Sequence, residues 1–329
     1  MSGNPITATV PFDADGVHHG HLRLPYSRDD SAWGSVLIPV TVIRNGEGPT
    51  ALFTGGNHGD EYEGPIALME MAATLQPEAV RGRVILVPYM NAPAVRAARR
   101  TSPLDGGNLN RIFPGRPDGT PTEKIADYFA TVLVPMADIV LDFHSGGKTL
   151  DFLPFAAAHI LNDKAQEAAC MAAMRAFGAP YSMRMLEIDA AGMYDTEVET
   201  QGKVFVTTEL GGGGSARAHT VEIAKRGARN LLVHAGILAG EVEAGETVEL
   251  DMPGPDCFVF SEHAGMLEPV ADLGARVEKG DVVARLWSVE RSGGPAEVYR
   301  VGRAGLVAAR HFPGLVQAGD CLTVVAVEL

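Results

Sequence analysis

The sequence predicts an α/β fold, a mixed sheet flanked by helices, followed by a small all-β domain of barrel or sandwich shape. Three observations predict it. Up to about Glu243, short apolar runs of strand length alternate with longer stretches of helical apolar spacing. Beyond that point helical periodicity stops, and short β-like runs alternate with Gly and Pro turns. Polar, glycine-rich turns follow several strands directly, as at the ligand-binding edge of open α/β sheets. The division expected is 1–243, an α/β domain with an irregular or β N-terminal segment, and 244–329, the β domain.

Each element follows in order. Residues 1–34 read as irregular. Their His18-His19-Gly20-His21 run could bind metal but is more simply a polar loop or edge strand. Residues 36–43 read as a strand whose Pro39 suits an edge. The turn at 45–48 leads into the apolar strand 50–54. Next comes Gly55-Gly56-Asn57-His58-Gly59-Asp60-Glu61, the stretch around which the chain is arranged. A helix begins at about Pro65. Residues 83–88 form a buried strand, and 96–116 a loop too long and polar to be a mere connector, of the kind that often carries function. The spacing predicts helices at 123–136, 162–177 and 221–239. It predicts strands at 137–143 and 203–208, followed at once by His144 and Glu209.

Composition bounds the function. The chain has 329 residues, 46% hydrophobic and 21% charged, enough for a sizeable core. Its formal net charge of −14 argues against nucleic acid or an anionic membrane as partner and is compatible with a cationic small substrate. No apolar run reaches the roughly 20 residues of a membrane helix, and the N-terminus lacks the pattern of a secretory signal. Cys170, Cys257 and Cys321 are odd in number and far apart, as in a cytoplasmic protein with reduced thiols.

One imidazole and one carboxylate three residues apart, His58 and Glu61, can bind the same ion on a tight glycine turn. Alone, the pair reads equally well as an ordinary polar turn. His144 alone would be a strand-end histidine bonded to backbone, and Glu209 a cap or solvated carboxylate. Their joint placement after three parallel-type strands changes the balance. Two His and one carboxylate on a divalent ion form a catalytic donor set, and a separate Glu209 would serve as general base and acid. Arg111, beside Asn110 among apolar neighbours, suits a substrate carboxylate.

Four motifs, 56–61, 108–113, 142–146 and 208–211, together resemble the succinylglutamate desuccinylase/aspartoacylase family: zinc amidohydrolases with a carboxypeptidase-like α/β domain followed by a β domain. The resemblance implies one zinc ion on His58, Glu61 and His144, Glu209 as general base and acid, and Asn110 and Arg111 on the substrate carboxylate. It also implies an upstream arginine for the oxyanion, for which Arg100 is the choice, ahead of Arg99 and Arg96. Residues 13–20 and 56–65 are most similar to members that deacetylate an N-acetylated diamino acid. Such a substrate carries a free ammonium, for which Glu187, Asp189 and Asp195 are candidate partners. Aspartoacylase or desuccinylase activity is the alternative, and a non-catalytic carboxylate-binding protein the second. Residues 265–284 resemble a biotinyl or lipoyl carrier module, without a lysine at 262–264. That β segment could also shield an interface, so a homo-oligomer is compatible.

Overall fold

The computed structural model describes residues 3–186, 189–243 and 245–329. Its spine is a set of parallel strands at the middle of a large mixed sheet. The Thr50–Thr54 strand lies between Gly82–Val87 and Ile139–Asp142, parallel to both, and Val204–Glu209 extends the parallel run beside Ile139–Asp142. Thr50–Thr54 and Ile139–Asp142 are buried throughout, as strands covered on both faces are. The covering helices are Glu63–Thr74, Lys164–Phe177 and Ala218–His234 on one side. Pro121–Tyr128 and Tyr194–Thr200 lie on the other. Asp163 caps Lys164–Phe177 through the amides of Ala165 and Gln166, and Gly178 ends it in the left-handed region.

Three expectations change. The segment before residue 34 is only partly irregular: Gly16–Pro25 is a ten-residue strand paired antiparallel with Ser35–Asn45 along its whole length. His18 and His19 are consecutive strand residues, so they point to opposite faces and cannot share an ion. His19 bonds Thr41 Oγ1 at 2.9 Å instead. The Ser35–Asn45 strand is not at an edge, because Gly82–Val87 pairs with its other side. That pairing begins only at Thr41, so Pro39 has one neighbouring strand and its missing N–H costs no ladder bond.

The third change concerns the β segment. Every strand after Glu243 is part of an all-β region, as expected, but the large sheet runs straight into it. Val248–Asp251 pairs in parallel with Tyr181–Arg184 and antiparallel with Cys321–Glu328. Gly305–His311 pairs with Leu150–Phe152, deep in the α/β part. A shared core of Phe155, Ala157 and Met183 with Leu250, Met252, Leu306 and Ala326 seals this junction. A smaller four-stranded sheet, including Gly265–Pro269 and Val282–Trp287, packs on the end of the large one, with Val283, Leu286 and Val316 sharing a core with Val259, Val307 and Val325. The three cysteines are free thiols. Among the described residues, no helix is long and apolar enough to cross a membrane.

Candidate metal centre and its cavity

Strand register sets the site. Thr54, Asp142 and Thr207 are level with one another across three adjacent parallel strands. His144 and Glu209 each lie two residues beyond that level, and the Gly55–Glu61 turn begins one residue beyond it. Side chains two apart in extended chain point the same way, so His144 and Glu209 emerge at the same edge of the sheet. The backbone ties them together: Leu210 N–H donates to the His144 carbonyl at 3.1 Å.

The turn carrying His58 and Glu61 depends on two glycines. Gly56 has φ +67°. At Gly59 an added Cβ would sit 2.0 Å from the Ala94 carbonyl carbon, so no larger residue fits without displacing backbone. The result is a buried His58 and Glu61, each about 3% exposed at its side chain.

Glu61 bridges the two imidazoles. His58 Nδ1 lies 2.8 Å from Glu61 Oε1, and His144 Nδ1 lies 3.0 Å from Oε2. The outer nitrogens are held by the protein, His58 Nε2 facing Asn108 Oδ1 at 3.2 Å and His144 Nε2 facing Asp142 Oδ2 at 2.8 Å. One donor atom from each of the three residues lies within 4.8 Å of the others. Outer nitrogens anchored and inner nitrogens converging on one carboxylate is how histidine ligands are arranged around a cation. The donor set, two nitrogens and one carboxylate oxygen, is that of a catalytic zinc site with a position left open. The residues therefore fit a divalent ion.

Asp142 is itself fixed. Thr54 Oγ1 donates to its Oδ1 at 2.6 Å and Asn57 Nδ2 to its Oδ2 at 3.0 Å. These contacts split the two histidines electrostatically. Burial pushes His58 below the ordinary histidine value, with the Arg100 guanidinium helping and Glu61 opposing. Burial also acts on His144, but the Asp142 carboxylate and then Glu61 outweigh it and hold that ring well above the usual range. Burial alone would raise Glu61, yet the two imidazoles hold its carboxyl well below the usual carboxylate value. His58 sits beside a neutral amide and His144 beside a carboxylate, and that difference decides the direction of each shift.

Seven of the residues singled out from the sequence line one cavity: His58, Glu61, His144, Glu209, Arg100, Asn110 and Arg111. Arg100 Nη1 lies 3.3 Å from His58 Nδ1 and 3.7 Å from Glu61 Oε1. Arg96 instead bonds the Leu37 carbonyl, and neither it nor Arg99 is part of the cavity wall. Asn110 is buried, and its Oδ1 accepts from Tyr194 N–H at 2.9 Å. Arg111 Nη1 donates to the Asn110 carbonyl at 2.7 Å.

Of the acids considered for a substrate ammonium, Asp195 is buried and lines the cavity, whereas Asp189 is exposed and away from it. Glu187 lies outside the described residues. Asp142 and Asn108 are positions to which sequence reasoning assigned no role. The signal for Asp142 was present, since it lies two residues before His144 and so on the same face. Asn108 had no such signal, because its contact with His58 spans 50 residues.

A mixed sheet with a His–Glu–His cluster at its strand ends defines the class. The model of the succinylglutamate desuccinylase/aspartoacylase catalytic domain matches residues 47–235, and the chain belongs to this family. Its relatives include the N-alpha-acetyl-L-2,4-diaminobutyric acid deacetylase of Halomonas elongata, 56% identical over 325 residues, 98% of this chain and 95% of that one. The product-bound ectoine utilization protein EutE (DoeB) from Ruegeria pomeroyi is 67% identical with a TM-score of 0.98, covering 99% of this chain and 100% of that one. A succinylglutamate desuccinylase from Silicibacter sp. TM1040 is 63% identical, with a TM-score of 0.97 and full coverage of both chains.

Proposed function

We propose that this chain is a zinc-dependent deacetylase that hydrolyses N-α-acetyl-L-2,4-diaminobutyrate to acetate and L-2,4-diaminobutyrate. The observation that carries the reading is the His58–Glu61–His144 cluster sharing one cavity with Glu209, Arg100, Asn110 and Arg111. It occurs in a chain 56% identical, over nearly its whole length, to a relative named for that activity.

His58, Glu61 and His144 would hold the ion. Bound there, it supplies a Lewis acid for the acetyl carbonyl and lowers the pKa of a water. Water adds to the acetyl carbon, and the carbon–nitrogen bond then breaks. Glu209 takes the water's proton and returns it to the departing amine nitrogen. Arg100, beside His58 and Glu61, stabilises the oxyanion that develops at the carbonyl oxygen. Arg111 binds the substrate's α-carboxylate. Tyr194 N–H occupies Asn110 Oδ1, which orients the amide so that its Nδ2 is the donor left for that carboxylate.

We infer that the chemistry resides in 1–243 and that 244–329 is a β unit packed against it, with the reduced thiols fitting a cytoplasmic setting. The test is acetate release by the zinc-loaded protein over a panel of N-acetyl-2,4-diaminobutyrate, N-acetylaspartate and N-succinylglutamate. The diamino substrate is expected to give the highest kcat/KM. A protein that binds no zinc, or that hydrolyses none of the panel, is not this enzyme.

A further inference from the structure

Hydrolysis of a diamino acid poses a recognition problem that the metal, Glu209 and the carboxylate clamp leave open. The side-chain ammonium must lose water on entering the cavity, which is costly without a partner. Among the described residues, three carboxylates line the cavity. Glu61 faces both imidazoles and Glu209 is assigned to proton transfer. The third is Asp195, buried, in the first turn of the Tyr194–Thr200 helix.

We propose that Asp195 is the specificity residue, the carboxylate that binds the free side-chain ammonium of the substrate. The inference rests on the deacetylase reading above.

The local structure holds Asp195 at a fixed distance from the carboxylate clamp. Tyr194 N–H bonds Asn110 Oδ1, and Phe113 N–H bonds the Gly192 carbonyl at 2.9 Å. Gly192 packs so closely that an added Cβ would lie 2.4 Å from the Arg111 carbonyl oxygen. The segment bearing Asp195 and the segment bearing Arg111 are thus locked together, a cation and an anion on one wall. A ligand with a carboxylate and an ammonium on one short chain is complementary to that pair. Met185 and Met193 line the same cavity and lower the local dielectric, which strengthens a charge pair formed there.

Asp195 Oδ1 accepts from Thr196 N–H, and Oδ2 stands 4.0 Å from His159 Nε2. His159 is bonded more closely to Glu199, at 2.9 Å. A purely structural Asp195, serving the helix start or His159, would affect every substrate alike. One that binds the ammonium would affect only substrates that carry it.

The experiment compares N-α-acetyl-L-2,4-diaminobutyrate with its neutral isostere, N-acetyl-L-norvaline, on the zinc-loaded full chain. In Asp195→Asn, which keeps an oxygen for Thr196 N–H, kcat/KM for the diamino substrate is expected to fall about 100-fold, the scale for losing one partner of a desolvated charge pair. The norvaline substrate is expected to change by less than about threefold, a shift typical of sites that make no lost contact. Calorimetric binding of L-2,4-diaminobutyrate is expected to weaken in parallel, with Asp195→Glu restoring part of it. Equal losses on both substrates, or a loss carried by Glu187→Gln in place of Asp195→Asn, would overturn the assignment. Wild-type protein that hydrolyses neither substrate would overturn the deacetylase reading itself.

Discussion

His144 is held through both of its ring nitrogens. Its inner nitrogen faces Glu61 and its outer nitrogen faces Asp142, which Thr54 and Asn57 fix from the neighbouring strand end. Asp142 therefore orients His144, a proposed zinc ligand. Asp142→Asn is expected to weaken zinc affinity by about 10–100-fold, the usual scale for losing such a partner. Competition titration against a chromophoric chelator measures it, and unchanged affinity would remove Asp142 from the site. Glu209 separates cleanly from the ligands, since it lies on a different strand end. Glu209→Gln is expected to lower kcat by roughly 10²–10⁴-fold, the range for a general acid–base group, with zinc content unchanged. Loss of zinc in that variant would make Glu209 a ligand instead.

At the scale of elements, the site depends on the register of three adjacent parallel strands and on one turn that passes close to a neighbouring helix. Gly59 is the tight point of that turn, against the backbone of Ala94 in the short Ala92–Arg96 helix. Gly59 N–H also donates to the Arg99 carbonyl at 2.9 Å, one residue before Arg100. The turn that presents His58 and Glu61 thus positions Arg100, the arginine proposed for the oxyanion, as well. Gly59→Ala is expected to destabilise the fold by about 1–3 kcal/mol, the usual cost of forced overpacking. Denaturant unfolding gives that figure, and activity per folded molecule is expected to fall too, because Arg100 shifts with the turn. The loop at 96–116 illustrates what an element-level reading can reach. Its length and polarity marked it as functional, yet which of its arginines faces the cavity depended on how the chain wraps against Gly59.

The whole molecule behaves as one folded object with two textures. The cavity wall at Leu150 and Phe152 belongs to the strand that pairs with Gly305–His311, so the C-terminal region supports the site directly. A chain ending at residue 243 would expose Phe155, Ala157 and Met183 and leave the Tyr181–Arg184 strand without its outer partner. Such a truncation is expected to aggregate, and size-exclusion chromatography with circular dichroism would reveal it. A monodisperse, folded 1–243 would make the two regions independent domains. Metal binding acts at the same scale. The proposed ligands come from positions as far apart as Glu61 and His144, so an ion held by them would bind the native state and not the unfolded chain. Zinc at 100 times its Kd is expected to add about 2.7 kcal/mol of stability, by mass action. His144→Ala is expected to abolish that increment, and an undiminished zinc effect in that variant would place the ion elsewhere.

The order of elements, the glycine turns and the identity of the chemical groups are local properties, and the sequence determined them alone. Apolar runs followed at once by His58, His144 and Glu209 could be seen without coordinates, because a strand's hydrophobic run and the polar residue after it are neighbours in the chain. Tertiary structure decided everything that depends on register and on which wall a side chain faces. It selected Arg100 over Arg99 and Arg96, made Asp142 and Asn108 the supports of the histidines, and put Asp195 rather than Asp189 on the cavity wall. It also carried the sheet across the expected boundary at residue 243. Apart from the Asp142–His144 contact, which spans two residues, those outcomes arise between distant parts of the chain, and no local pattern records which distant backbone will pair or pack.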